Sequence, residues 1–200
     1  MNRPDRLRPL LVALPGLALA GAGLLHPHSL TASSAGRWTF LHVAGLFVFP
    51  LVGLALVTLV RARLDPLSWG VRLAAYVYAT AYTALDVISG IGAGWVTREL
   101  GEGVPRPDEV RHLFAIGGRI GEVGSWALIV CTVLVAADAL RRRRSIALPG
   151  LALVVGAALV HREHIFAPTG AAGMALIGLA TGWLALLERG RPEVRSGSAS

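Results

Sequence analysis

The sequence predicts an all-α, polytopic transmembrane helical bundle, and three observations lead to that class. Hydrophobic residues form 54% of the chain and mean hydropathy is +0.61, while only 16% of residues are charged, against about 25% in soluble domains. The apolar residues gather into runs near the roughly 20 residues that a helix needs to cross a bilayer. All 19 basic residues are arginine and fall between those runs. The net charge of +7 therefore reads as a topology signal and not as a nucleic-acid-binding surface.

About six spans follow, at residues 10–25, 40–60, 71–96, 120–140, 146–166 and 169–187, in a single transmembrane domain over 1–189. The first follows Arg3, Arg6 and Arg8. With Ala18-Leu19-Ala20 it also has the form of a cleavable signal peptide, but the apolar run continues through Leu25 past that point, which favours a retained span. Thirteen arginines lie on one side: Arg3, Arg6, Arg8, Arg61, Arg63, Arg72, Arg141 to Arg144, Arg189, Arg191 and Arg195. Six lie on the other: Arg37, Arg98, Arg106, Arg111, Arg119 and Arg162. The positive-inside rule then puts both termini in the cytoplasm. Trp38 and Trp95 are expected at the outer interface and Trp69 at the inner one. The absence of lysine and the wealth of Ala, Gly and Arg point to a GC-rich bacterial genome, hence a bacterial plasma membrane. The lipid bilayer is the expected partner, with no nucleic acid, and the polar tail 190–200 is expected to be disordered.

The segment from Ala13 to Leu19 recurs letter for letter from Ala147 to Leu153, and Leu51-Val52-Gly53-Leu54-Ala55 is echoed by Leu176-Ile177-Gly178-Leu179-Ala180. This predicts two parallel hairpin repeats flanking a central hairpin. In the outer loop, 97–119, Val110, Leu113, Phe114 and Gly117 share one helical face. A short amphipathic helix lying on the membrane surface is expected there, as a lid over whatever sits beneath.

All six histidines fall on the outer side. At about 1.5 Å per residue, His26 lies about 24 Å above the start of the first span, His161 about 22 Å above that of the fifth, and Asp86 about 22 Å up the third. Glu122 lies roughly one turn below the outer end of the fourth. Ionisable side chains at such depth are costly and mark sites. His26, His42, Asp86, Glu122, His161 and His164 are therefore the candidate ligands of one outward-facing site for zinc, copper, iron or haem. For haem, His26 and His161 would be the axial pair; for a bare ion activating water, Asp86 or Glu122 would be the general base. A small proton-coupled carrier using Asp86 and a non-catalytic accessory subunit are the competing classes.

The remaining polar residues have structural readings. Tyr78, Tyr82 and Asp86 share a face, with the tyrosines expected to pack and satisfy their hydroxyls. Asp138 is placed to pair with Arg141 and Arg142 at a helix end, and Cys131, the single cysteine, reads as a small buried hydrophobe. A topology reporter fused after Ser200 should be active on the cytoplasmic side; activity only outside would refute the arginine assignment.

Overall fold

The computed structural model describes residues 3–60, 63–142 and 147–189, with side chains from residue 6 onward. The tail 190–200, the start of the fifth expected span at Ile146, and Arg61, Arg143, Arg144, Arg191 and Arg195 of the topology argument lie outside the described residues. The elements are α1 (Arg3–Leu25), α2 (Ala32–Thr58), α3 (Pro66–Leu85), a π-helical segment (Asp86–Gly92), α4 (Ala93–Leu100), α5 (Asp108–Arg142), α6 (Ala147–Glu163) and α7 (Thr169–Arg189). Among the described residues there is no strand. Four helices, over Arg6–Leu25, Ala32–Thr58, Asp108–Arg142 and Thr169–Glu188, are long and apolar enough to cross a membrane. That fits a membrane protein.

Local signals set the helix starts. Thr31 caps α2 in a reciprocal box, in which the Ser34 N–H donates to Thr31 Oγ1 (3.2 Å) and the Thr31 N–H to Ser34 Oγ (2.9 Å). Asp65 caps α3 by accepting from the Ser68 N–H (3.0 Å), with Pro66 at the first helical position. That hydrogen bond holds the Asp65 carboxyl below its ordinary pKa.

Because α3, the π segment and α4 run on as one rod, the described residues form six rods. Each packs on the next in sequence, and α7 closes back on α1. The ring encloses one core, with Leu56, Val71, Leu128, Leu153 and Met174 fully buried. Outward-facing side chains such as Leu14, Phe47, Leu148 and Leu179 are equally apolar and exposed. A helix apolar on both faces belongs in lipid.

Close approach depends on glycine. A Cβ on Gly16 would strike the α7 backbone at Gly178, and one on Gly178 would strike α1 at Ala13 and Leu17. In the echoed segments, Gly150 of α6 abuts Ala136 of α5, and Gly53 of α2 abuts Ala75 of α3. Each copy of the first segment thus packs its glycine on the preceding rod of the ring, and each copy of the second on the following rod.

Two expectations are revised. The stretch opened by Asp108 is not a separate surface helix: it continues without a breaker into α5, whose 35 residues make about 50 Å of helix. Its face with Val110, Leu113 and Phe114 packs with Leu30, Ala35, Trp38 and Ala93 into a small apolar cluster. Trp95 and Trp69 are exposed, beside Arg98 and Arg72, but Trp38 belongs to that cluster and is buried.

The opposite end of the ring is tied by ions. Arg8 of α1 donates to Glu188 of α7 (3.1 Å) and to the Thr58 carbonyl at the end of α2 (3.0 Å). Arg142 of α5 bridges Glu188 (3.1 Å) and Asp138 (2.7 Å). Asp138 is fully buried and also holds Arg63 from the α2–α3 connection and Arg141 (3.8 Å). The Asp138 carboxylate raises the pKa of Arg63. The helix-end pairing read from sequence is present, with Arg63 as a partner that spacing along one helix does not disclose. Asp138→Ala should lower stability in detergent by about 1.5–3 kcal/mol, the range for hydrogen bonds to charged groups. An unchanged unfolding midpoint would mean that water or lipid headgroups replace the carboxylate.

Candidate functional site

At the other end of the ring, α1, α2, the π segment and the turn after α6 bring four polar side chains to one small cavity of about 170 Å³. They are His26, His42, Asp86 and His164; every other lining residue is apolar or glycine. Each is aimed there for a local reason.

His42 projects from the buried face of α2, with Gly45 and Phe49 one and two turns further along. Its Nδ1 lies 2.8 Å from the Trp38 carbonyl oxygen one turn back. His26 follows the last residue of α1, and its Nδ1 lies 2.8 Å from the Pro27 carbonyl oxygen. A carbonyl only accepts, so Nδ1 carries the proton in both rings, and Nε2 of each neutral ring keeps its lone pair. The two rings stand edge-on with centroids 5.0 Å apart. His26 also packs edge-on against Trp38 (4.6 Å) and Phe166 (4.7 Å).

Asp86 opens the π segment and is fully buried. Its carboxylate lies against the α2 backbone at Gly45, where a Cβ would collide with it. Four residues on, Gly90 leaves room for the His42 ring. The π winding is held by side chains inserted beside it: Trp38 Nε1 donates to the Ser89 carbonyl (3.2 Å), and Ser89 Oγ donates to the Leu113 carbonyl of α5 (3.0 Å). Such segments recur at functional sites because they re-aim one side chain within a continuous helix.

His164 has φ +52°, in the left-handed region, which turns the chain off the end of α6 and aims the ring back into the bundle. There it packs against the rings of Phe49 (5.7 Å) and Tyr82 (5.3 Å), which themselves lie 4.7 Å apart, and edge-on to Phe166 (5.9 Å).

The electrostatics are one-sided. Both Asp86 carboxylate oxygens, His26 Nε2 and His164 Nε2 are buried with no hydrogen-bond partner among the described residues. No lining residue supplies a cation or a hydroxyl. A buried carboxylate in this setting costs several kcal/mol unless a positive charge or a proton accompanies it.

The other two sequence candidates lie elsewhere. Glu122 is exposed, and His161 has its Nδ1 2.8 Å from Ser125 Oγ and its ring against Trp126 (4.6 Å). Both line a second, open cavity of about 500 Å³ between α3, α5 and α6. The reason is angular: His161 and His164 are three residues apart, but the left-handed turn at His164 breaks the helical register that would have put them on one face. The six expected ligands therefore line two cavities that share His164, with His26 in one and His161 in the other. His28 is exposed over Phe166, and His112 is exposed in the first turns of α5. Among the described residues, no group of three or more His, Cys, Asp or Glu side chains is placed so as to hold a metal ion.

Sequence reasoning missed the framing residues Trp38, Gly45, Phe49, Gly90 and Phe166. Two carried a signal, since Gly45 stands at His42 + 3 and Gly90 at Asp86 + 4, the spacings at which a small residue clears space beside a buried polar one. Tyr78 and Tyr82 pack as expected, although the Tyr78 hydroxyl is buried without a partner.

Compared with known proteins, the chain matches no family model, no curated protein and no solved structure.

If the Asp86 carboxyl is a burden on the fold, the isosteric Asp86→Leu should raise the unfolding midpoint of the ion-free protein, by about 1–3 kcal/mol in stability terms. A lowered midpoint would mean that the carboxyl has a stabilising partner.

Proposed function

We propose that this protein is a six-span bacterial plasma-membrane protein, with both termini in the cytoplasm, that binds a divalent transition metal through His26, His42, Asp86 and His164 near its outer face. The observation that carries the reading is the lining of this cavity: one buried carboxyl and three imidazoles, with the Nε2 lone pairs of His26 and His42 free and no arginine or hydroxyl among the lining residues. Imidazole and carboxylate together suit zinc, iron or copper. The Nδ1-to-carbonyl contacts of His26 and His42 are the outer hydrogen bonds that fix the tautomer of metal-ligating histidines. Two imidazoles on a tetrahedral ion place their ring centres about 5 Å apart, and those of His26 and His42 are 5.0 Å apart. Asp86 and His164, the other two polar residues lining the cavity, would supply the remaining ligands.

A bare ion fits better than haem. The cavity of about 170 Å³ falls below the roughly 300–1,000 Å³ of small-molecule and cofactor sites. The two-repeat reading also gains support, because the echoed glycines occupy equivalent places around the ring, Gly16 with Gly150 and Gly53 with Gly178.

Protein purified without chelator and measured by elemental analysis should carry about one transition-metal ion per chain. His42→Ala and Asp86→Ala should each lower that content at least tenfold while membrane insertion persists, since insertion follows the apolar spans. Wild-type protein that neither carries nor takes up zinc, copper or iron would return the cavity to a protonated, proton-handling Asp86.

A further inference from the structure

Trp38 and Phe166 pack on His26 at one edge of the smaller cavity. The open cavity between α3, α5 and α6 meets that smaller one at a single residue among the described residues, His164, which lines both. Along that open cavity stand three ligand-type side chains that the binding site does not use, His161, Glu122 and Glu163, the last paired with Arg162. Ser125 Oγ donates to the Glu122 carbonyl (2.9 Å) and so receives the Nδ1 proton of His161 (2.8 Å), which leaves His161 Nε2 as a lone pair. Glu122 is exposed and makes no ion pair among the described residues, whereas the neighbouring Arg162 is paired with Glu163 (3.5 Å).

From this juxtaposition we infer that the open cavity is the entry port of the metal site: His161 and Glu122 capture a hydrated divalent cation, and His164 passes it inward to His26, His42 and Asp86. This rests on the metal-binding reading above and adds a route to it. Glu122 supplies the attraction for a cation, and His161 supplies the first nitrogen that replaces a water ligand. His164 is suited to the transfer because its ring contacts are with other aromatic rings, Phe49, Tyr82 and Phe166, and its Nε2 has no hydrogen bond to break. The left-handed backbone at His164 holds the ring at the junction of the two cavities.

A port changes rates without changing equilibrium, and that distinguishes it from a ligand or a structural support. Ion-free full-length protein in detergent is mixed with buffered Zn²⁺ in a stopped-flow instrument, and release from the loaded protein is then followed with an excess of chelator. In His161→Ala and in Glu122→Gln, the uptake and release rates should both fall, by about tenfold, and by the same factor. Final stoichiometry and Kd should stay at the wild-type values. Glu122→Gln guards against misfolding, since the side chain is exposed. Unchanged rates in both variants would overturn the port. A loss of stoichiometry or a raised Kd would also overturn it, by making these residues ligands or supports. Wild-type protein that binds no zinc, copper or iron would refute the metal site itself, whereas normal wild-type binding with unaltered variant kinetics would refute only the port.

Discussion

A carboxyl group buried without a hydrogen-bond partner among the described residues is the constraint around which the histidine end of this molecule is built. Asp86 is fully buried and faces a cavity whose other polar groups are the imidazoles of His26, His42 and His164. Surrounding structure preserves this arrangement. Gly45 clears the α2 backbone for the carboxylate, Gly90 clears the π segment for His42, and two carbonyls fix the tautomers of His26 and His42 so that their lone pairs stay available. A fold selected only for stability would place a well-packed apolar residue such as leucine at such a position.

The opposite end shows that the chain pairs its buried acids elsewhere. Asp138 is as deeply buried as Asp86 but is held by Arg63 and Arg142, and Glu188 is held by Arg8 and Arg142. That network ties α1, α5, α7 and the α2–α3 connection at one end of the ring, where rigidity is the evident benefit. Both ends lie in the same bundle, so the difference between them is one of local composition. No arginine faces the cavity at the histidine end, and its polar groups are ligand types.

Much of this was legible in the sequence, in proportion to how local each signal is. Apolar runs, arginine placement and the depth of His26, His42 and Asp86 depend only on residue spacing along single helices, and they gave the helical class and the end of the bundle at which the histidines gather. What depended on backbone geometry stayed hidden. The left-handed turn at His164 separates it from His161, and the π winding at Asp86 shifts register within an otherwise ordinary helix. Continuity of α5 through Gly117 and Gly118 was equally hidden, because packing on α4 and the π segment outweighs the low helix propensity of glycine. Trp38 looked like an interfacial ring because its sequence neighbours are polar. It is buried because Ser89, distant in sequence, accepts its indole N–H.

The central claim is that the charge missing from the Asp86 cavity is a metal ion held by imidazoles. X-ray absorption at the zinc edge of the loaded protein tests it most directly, because histidine rings imprint multiple scattering on the spectrum while water and carboxylate do not. The account predicts a four-coordinate nitrogen and oxygen shell at about 2.0–2.1 Å with several imidazoles, losing one imidazole in His42→Ala. A spectrum of oxygen ligands alone, unaltered by that substitution, would contradict it.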